Sequence, residues 1–210
     1  MNCCDPRDIH FGSKHAAGDL VRYSKNGPDR TTHLILQGIR EQDISDATLL
    51  DVGAGIGVVH HELLEDVCIS ATHLDLSSAY IEAAKNEGSR RGHDGRVTYI
   101  HGDLVDADDV VDSCDIVTLD RVVCCYPDYR AMLSLAVSKC STVLAMSYPR
   151  DRWFVRLAMW LDNQKRKIKG DPFRAFVHPP DLLRQIPEAH GFERRSIVTT
   201  PFWQVEVYTT

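Results

Sequence analysis

Four aspartates in the central part of the chain each end or follow a short apolar run, and a glycine-rich segment lies between the first two. The aspartates are Asp51, Asp75, Asp103 and Asp120, and the glycines are Gly53, Gly55 and Gly57. Glycines at a turn from strand to helix allow a tight bend and a close ligand approach, because they carry no Cβ atom. Carboxylates accept hydrogen bonds from hydroxyl and amino groups. These residue types predict a site for a small ligand that carries such donors.

The spacing within and after the glycine segment narrows the choice of ligand. The dinucleotide fingerprint G-x-G-x-x-G would need a glycine at position 58, where this chain has Val58, and no Gly-Lys-Ser/Thr follows. A pyrophosphate cradle is therefore disfavoured. Asp75 stands twenty residues after Gly55, where an acidic side chain accepts hydrogen bonds from ribose hydroxyls. The carboxylate of Asp103 could accept a hydrogen bond from the amino group of an adenine, and Leu104 could pack on the adenine ring.

The elements that must position these residues follow from short apolar runs that alternate with amphipathic segments. Strands are predicted at 48–52, 68–76, 97–101, 115–119, 142–147, 192–199 and 202–209, and helices at 29–42, 57–65, 77–88, 128–139, 153–167 and 181–190. This alternation predicts βαβ units and a parallel sheet with helices on both faces. The last two strands are too close for a crossover helix, so they should pair antiparallel at the sheet edge. Asp29 is predicted to cap the first of these helices.

Composition excludes several classes of protein. The chain has 210 residues and a formal net charge of −6, which disfavours sequence-independent nucleic-acid binding. Its seven cysteines include no C-x-x-C pair, so neither a disulfide framework nor a metal site is expected. The beginning of the chain has no apolar stretch after a basic one, and no segment suits a membrane span. We expect a cytoplasmic protein with a small-molecule partner and without nucleic acid.

Taken together, four segments resemble the class I S-adenosylmethionine-dependent methyltransferases. They are Leu50-Asp51-Val52-Gly53-Ala54-Gly55-Ile56-Gly57, Leu74-Asp75-Leu76-Ser77, Gly102-Asp103-Leu104 and Asp115-Ile116-Val117-Thr118-Leu119-Asp120. The resemblance covers residues 45–150 and implies a Rossmann-like three-layer α/β sandwich. Its seven-stranded sheet would be mostly parallel with an antiparallel C-terminal pair. It implies S-adenosylmethionine as the cofactor, with its cationic sulfonium and no phosphate.

The resemblance also implies roles for individual residues. The predicted cofactor-binding set is Tyr23, Asp51, Gly53, Ala54, Gly55, Asp75, Leu76, Asp103, Leu104, Asp120 and Val122. The glycine loop would border the methionine part of the cofactor, and the turn from Asp120 to Val122 would lie near the sulfonium. Many small-molecule members carry histidines just after the fourth strand, whereas this chain has Cys124 and Cys125 there. An inherited general base at that turn is therefore not expected.

The acceptor site is expected from segments outside the sheet. Residues 1–44 are predicted to form an arm and helix that cover the site, with Tyr23 either closing over the cofactor or serving in packing. Residues 45–210 would form the methyltransferase domain, in which 151–180 is a substrate lid. The lid aromatics and Met159 could face an apolar acceptor or belong to the core; they are Trp153, Phe154, Met159 and Trp160. His178, before the next helix, is the weak candidate for a catalytic base.

The expected function is methyl transfer to a small, largely apolar molecule, at oxygen. A fainter resemblance to the O-methyltransferases of magnesium protoporphyrin, through Leu119-Asp120 and Tyr126-Pro127, favours such an acceptor. One alternative is a noncatalytic S-adenosylmethionine-binding module that regulates a partner, because methyl transfer requires no particular side chain. Another alternative is an NAD(P)-dependent oxidoreductase on a similar sheet. An RNA or protein methyltransferase would need a basic groove, which the net charge disfavours.

Overall fold

The computed structural model describes residues 12–210, so the Cys3–Cys4 pair lies outside the described residues. The helices are α1 (Ser13–Asn26), α2 (Arg30–Arg40), α3 (Val58–Leu63), α4 (Ser78–Arg91), α5 (Tyr129–Ser138), α6 (Trp153–Ile168) and α7 (Pro180–Ala189). The strands are β1 (Ala47–Val52), β2 (Cys68–Asp75), β3 (Val97–His101), β4 (Cys114–Asp120), β5 (Cys140–Pro149), β6 (Glu193–Thr199) and β7 (Trp203–Thr209). Short 3₁₀ turns cover Asp108–Val110 and Val123–Cys125.

The strands form one seven-stranded sheet in the order β3-β2-β1-β4-β5-β7-β6. The first five strands in the chain are parallel, and β7 runs antiparallel to both β5 and β6. The predicted fold class is therefore confirmed. The chain leaves β1 in one direction to form β2 and β3, and returns to its other side to form β4 and β5. This reversal leaves a crevice between the carboxyl ends of β1 and β4, where open α/β sheets bind ligands.

The core has two parts, one on each face of the sheet, because successive side chains on a strand point to opposite faces. Leu49 packs with α2 and α3 on one face, and the adjacent Leu50 packs with α5 and α7 on the other. Both leucines are fully buried. Near-continuous burial along β1, β4 and β5 is typical of parallel strands that helices cover on both sides. The result is the three-layer sandwich.

Local signals in the sequence set the beginning of two helices near the crevice. Asp29 caps α2, since its carboxylate accepts hydrogen bonds from the backbone N–H groups of Thr31 and Thr32 at 2.9 and 3.1 Å. Helix α3 is shorter than the predicted segment 57–65. It begins after Gly57, which has a φ of 84° and therefore cannot belong to the helix itself. Most of the described part of the arm that precedes α2 is helical and forms α1.

Helix α2 crosses the sheet at a glycine, which allows its backbone to approach β7. A Cβ atom on Gly38 would lie 2.7 Å from Cγ2 of Val207, a side chain that is fully buried and stiff at its β-branch. Gly18 lies in α1, and a Cβ atom there would meet nothing within 4 Å. Gly38 thus has a filled space next to it, whereas the exposed Gly18 has an open one.

We expect Gly38→Ala to lower the free energy of unfolding by about 1–3 kcal/mol, because overpacking against Val207 outweighs the better helix propensity of alanine. The matched control Gly18→Ala should raise it by up to about 1 kcal/mol. Urea denaturation followed by circular dichroism would measure both changes. Equal stabilisation by the two substitutions would contradict close packing at position 38.

Candidate functional site

A cavity of about 650 Å³ occupies the crevice at the carboxyl ends of β1, β2 and β4. Its floor comprises the glycine loop and the turn after β4, and its walls come from α1, the beginning of α2, one face of α6 and the turn between β6 and β7. The volume lies within the range of small-molecule sites. The predicted cofactor residues that line it are Tyr23, Asp51, Gly53, Ala54, Gly55, Asp75, Leu76, Asp120 and Val122.

The glycine loop reaches the cavity through two residues in the left-handed region. Gly53 and Gly55 have φ values of 60° and 57°, which other residues adopt only with strain. A Cβ atom on Gly53 would lie 2.6 Å from Cγ2 of Val122. The backbone N–H groups of Gly53 and Ala54 donate to the carbonyl of Leu74, at 2.7 and 3.3 Å, and so tie the loop to β2. Because two of its residues have no side chain, the loop exposes backbone that a bound ligand could contact closely.

Asp75 ends β2 and forms a cradle together with this exposed backbone. Its Oδ2 accepts a hydrogen bond from the backbone N–H of Gly55, and its Oδ1 accepts one from Ser77, each at 2.8 Å. A carboxylate has about four acceptor positions, so each oxygen can still accept from a hydroxyl of a ligand. Burial raises the pKa of Asp75 to about 6, although the two backbone N–H groups oppose this rise. The side chain is thus fixed in place and directed at the cavity.

Asp51 lies under the loop and is almost fully buried. Its Oδ1 accepts a hydrogen bond from Oγ1 of Thr118 at 2.8 Å, and its Oδ2 lies 3.0 Å from Nδ1 of His60. Burial raises the pKa of Asp51 to about 6 and lowers the pKa of His60 to about 3. At neutral pH, a neutral His60 therefore donates from Nδ1 to the carboxylate. This network joins β1, β4 and α3 around the glycine turn.

The turn after β4 is held by polar contacts from three directions. Asp120 accepts from Oγ1 of Thr32 at 2.5 Å and from Oγ of Ser147 at 2.6 Å. Arg121 has a φ of 62°, an uncommon conformation for a residue with a side chain, and its backbone N–H donates to Ser147 at 2.8 Å. Its guanidinium pairs with Asp29 at 2.6 Å. A strained backbone with this many constraints is typical of functional turns.

Arg121 was absent from the residues predicted as site residues, although it faces the cavity. Burial by itself would lower its pKa, but the carboxylates of Asp120 and Asp29 raise it on balance. In the sequence, only its position directly after Asp120, at the end of the fourth strand, indicates that Arg121 lies near the site. Its ion pair with Asp29 joins two residues that are far apart in the chain, and no sequence pattern indicates that contact.

Asp103 and Leu104 lie behind the cavity lining. Asp103 accepts a hydrogen bond from the backbone N–H of Val105 and another from the hydroxyl of Tyr126, each at 3.0 Å. Leu104 is buried in the core beside α5. Tyr126 does line the cavity. The predicted contact of Asp103 and Leu104 with an adenine remains a prediction.

Tyr23 is buried and lines the cavity, but its hydroxyl is already engaged. It donates to Oε1 of Glu62 at 2.6 Å and accepts from the guanidinium of Arg91. Burial, followed by the hydrogen bond to Glu62, raises the pKa of Tyr23. The contacts anchor α1 to α3 and α4. Tyr23 therefore holds α1 over the glycine loop.

The candidate base His178 lies outside the cavity lining. Its Nε2 lies 2.9 Å from the carbonyl of Tyr126, to which it can only donate, and its ring packs on Tyr129 with a centroid distance of 4.4 Å. Burial lowers the pKa of His178, although that carbonyl opposes the shift. In this position the imidazole supports the turn that carries Tyr126.

Cys124 and Cys125 both line the cavity as thiols. Their Sγ atoms lie 3.2 and 3.5 Å from the carbonyl oxygen of Arg121. The hydrogen bond with Cys125, together with burial, holds the pKa of the Cys124 thiol well above its ordinary value. Cys124 is thus a protonated, weakly nucleophilic group. Within residues 12–210, no group of three or more potential metal-ligating side chains comes together.

The lid aromatics divide between two surfaces. Met159 lines the cavity, as does the nearby Val155. Trp153 and Trp160 are 75 % and 56 % exposed and lie on the outer surface of α6. Neither tryptophan lines the cavity or is buried, so the prediction of a core position is wrong for both. The physical reason is that Val155 and Met159 occupy the inward side of the helix, and the tryptophans fall on the opposite side.

Residues 49–145 match the family model described as a methyltransferase domain. No curated protein sequence matches the chain significantly. Two structures of magnesium protoporphyrin IX methyltransferase from Synechocystis PCC 6803 have the same fold. The one with bound SAH is 17% identical, with a TM-score of 0.71 over 96% of this chain and 97% of that chain. The one with bound SAM is 16% identical, with a TM-score of 0.69 over 100% of this chain and 99% of that chain.

An O-methyltransferase family protein from Burkholderia thailandensis is also similar, at 14% identity and a TM-score of 0.68 over 98% of this chain and 64% of that chain. At these identities the structural likeness establishes the shared fold. The family model spans the glycine loop and the segment from β1 into β5, and the cradle at Gly53 and Asp75 fits a nucleoside-bearing cofactor. Residues 49–145 therefore match a methyltransferase domain, and the described chain has the fold of S-adenosylmethionine-dependent methyltransferases.

Proposed function

We propose that this enzyme methylates a small, largely apolar molecule at an oxygen atom. The observation that carries the proposal is the extent of the cavity, which continues from the glycine loop to a wall of apolar side chains. That wall contains Val155, Met159, Phe173, Phe202 and Trp203, and the paired Asp162 and Arg166 also line the cavity. The cradle formed by the loop and Asp75 lines the same cavity, so one part of the cavity suits the cofactor and another suits an acceptor.

The cofactor end follows from the contacts of the loop. Asp75 would accept from the ribose hydroxyls, since its two oxygens keep acceptor positions beyond those used by Gly55 and Ser77. The turn at Asp120 and Val122 would border the amino-acid portion. When bound, S-adenosylmethionine supplies an electrophilic methyl group on a sulfonium. The chain's own task is then to hold the acceptor oxygen in line with that methyl group and to exclude water, and positioning supplies most of the rate enhancement.

The state of the side chains favours an acceptor oxygen that needs no strong base. No histidine is found among the cavity-lining residues of the described chain. His178 is engaged with the carbonyl of Tyr126, and the raised pKa of the Cys124 thiol makes it a poor proton acceptor at neutral pH. A carboxylate or an acidic hydroxyl is already ionised at neutral pH and can attack without proton transfer. We therefore propose this class of oxygen as the acceptor.

We expect Asp75→Ala to weaken the binding of S-adenosylhomocysteine by about 1–3 kcal/mol, about 5- to 150-fold in Kd, because charge-assisted hydrogen bonds to the ribose are lost. Calorimetric titration of the folded variant would measure this change. Asp181→Ala, at the exposed beginning of α7, is the matched control and should leave Kd unchanged. An unaltered affinity in Asp75→Ala would remove Asp75 from the site.

The raised pKa of Asp75 makes cofactor binding depend on pH. The carboxylate must be ionised to accept from two hydroxyls, so affinity for S-adenosylhomocysteine should fall as pH is lowered through about 6. Titrations between about pH 5 and pH 8 would define the midpoint. Asp75→Asn cannot titrate at this position and should bind weakly with a flatter profile. The same steep profile in both proteins would assign the dependence to another group, such as Asp51.

Turnover distinguishes an enzyme from a noncatalytic binding module. Transfer of labelled methyl groups from S-adenosylmethionine to a panel of apolar carboxylic acids and nitro-substituted, acidic phenols should exceed transfer to the corresponding amines. Met159→Glu should lower turnover by roughly tenfold or more, because it places a charge in the apolar wall, and it should leave S-adenosylhomocysteine affinity unchanged. Cofactor binding with no turnover on any acceptor would favour the binding module. Faster transfer to the amines would overturn the choice of oxygen.

A further inference from the structure

The outer face of α6 exposes a row of five large apolar side chains, which the partly buried Gln164 interrupts before its last member. They are Trp153, Leu157, Trp160, Leu161 and Ile168, with exposed fractions of 75 %, 48 %, 56 %, 46 % and 85 %. At about 100° per residue, all five fall within roughly 100° of the helix circumference. Single exposed leucines are ordinary on protein surfaces, but several large apolar side chains grouped on one face mark an interaction site.

A second segment of the chain extends this row. The ring of Phe154 lies 5.9 Å from that of Trp153 and 5.8 Å from that of Phe202, between centroids. Phe202 belongs to the turn between β6 and β7 and is about half exposed. The row and these two phenylalanines together form the α6 apolar face. The α6 apolar face thus includes residues of α6 and one residue of the turn between β6 and β7, which only the folded chain brings together.

Exposed cations border the α6 apolar face. On the helical projection, Arg156 and Lys167 flank one side of the row and Lys165 flanks the other, while Arg152 and Lys169 lie near its two ends. Arg156 pairs with Asp151. The chain as a whole carries a net charge of −6, so this concentration of positive charge is local. Its natural complement is an anionic surface.

We propose that α6 lies in the headgroup region of an anionic lipid bilayer, with its apolar face against the acyl chains. Tryptophan is enriched at membrane–water interfaces, because its ring is apolar and its N–H is polar. A helix with tryptophans and leucines on one side and lysines and arginines beside them binds in the plane of such an interface. Helix α6 lies on the bilayer without crossing it, as no helix within residues 12–210 is long and apolar enough to span one.

The position of α6 gives this binding a further consequence, which rests on the proposed function. The same helix closes the cavity with Val155 and Met159 on its inner side. A protein bound through the outer side would hold the acceptor end of its cavity next to the bilayer, where apolar acceptors concentrate. The lipid binding itself does not depend on any methyl transfer.

Vesicle sedimentation with the whole chain tests the proposal. We expect binding to vesicles that contain phosphatidylcholine and phosphatidylglycerol, weaker binding to phosphatidylcholine alone, and loss of binding as salt screens the charges. The double variant Trp153→Ser and Trp160→Ser should weaken binding by roughly tenfold or more. The triple variant Lys165→Gln, Lys167→Gln and Lys169→Gln should weaken it by roughly fivefold for each lysine.

Val110→Ser is the matched control, since Val110 is 65 % exposed and lies on a 3₁₀ turn outside the α6 apolar face. It should bind vesicles like the unaltered protein. Thermal unfolding and S-adenosylhomocysteine titration should be unchanged in every variant, which separates lost lipid binding from lost folding and from failure of the cofactor site. Absence of vesicle binding, or equal binding to both vesicle types, would overturn the proposal. So would self-association that the tryptophan variants abolish, because the face would then be an interface between copies.

Discussion

The buried carboxylate of Asp51 is the constraint on which the cofactor site depends. An unpaired carboxylate in the interior would cost several kcal/mol, so its partners must be in place when the chain folds. Thr118 supplies one hydrogen bond from β4 and His60 supplies the other from α3. The glycine turn lies between β1 and α3, and both of its ends are thereby fixed. Gly53 and Gly55 can then hold left-handed conformations that point bare backbone into the cavity.

The polar interior beneath this turn is incompletely satisfied. His60 Nε2 and both ring nitrogens of His73 have no hydrogen-bond partner within the described part of the chain. The two rings pack edge to face with a centroid distance of 5.2 Å, and burial keeps the pKa of each histidine low. Neutral imidazoles in this setting act largely as aromatic packing groups. The buried Asp51 thus contacts a neutral His60, and His60 packs on a neutral His73 beneath the loop.

Helix α6 connects the two surfaces on which our proposals depend. Its inner side, with Val155 and Met159, completes the acceptor end of the cavity, and its outer side presents Trp153 and Trp160 to solvent. An amphipathic helix normally buries its apolar side and exposes its charges. This helix has apolar groups on both sides; Arg156, Lys165 and Lys167 lie between them, and Arg166 pairs with Asp162 on the inner side. Under the two proposals, one helix would contact a ligand within the protein and a membrane outside it.

The sequence by itself determined the elements and their order, because glycines at strand ends, caps such as Asp29 and apolar periodicity act over a few residues. It also indicated that Asp51, Asp75 and Asp120 would meet at one edge of the sheet, since parallel strands present their carboxyl ends together. Tertiary structure decided which groups those carboxylates contact; the hydroxyl of Thr32, for example, donates to Asp120. It also placed Asp103 behind Tyr126, whose hydroxyl donates to it. It also decided which side of α6 faces inward. Those contacts join residues far apart in the chain, and their partners are selected by packing and by the need to pair buried charge.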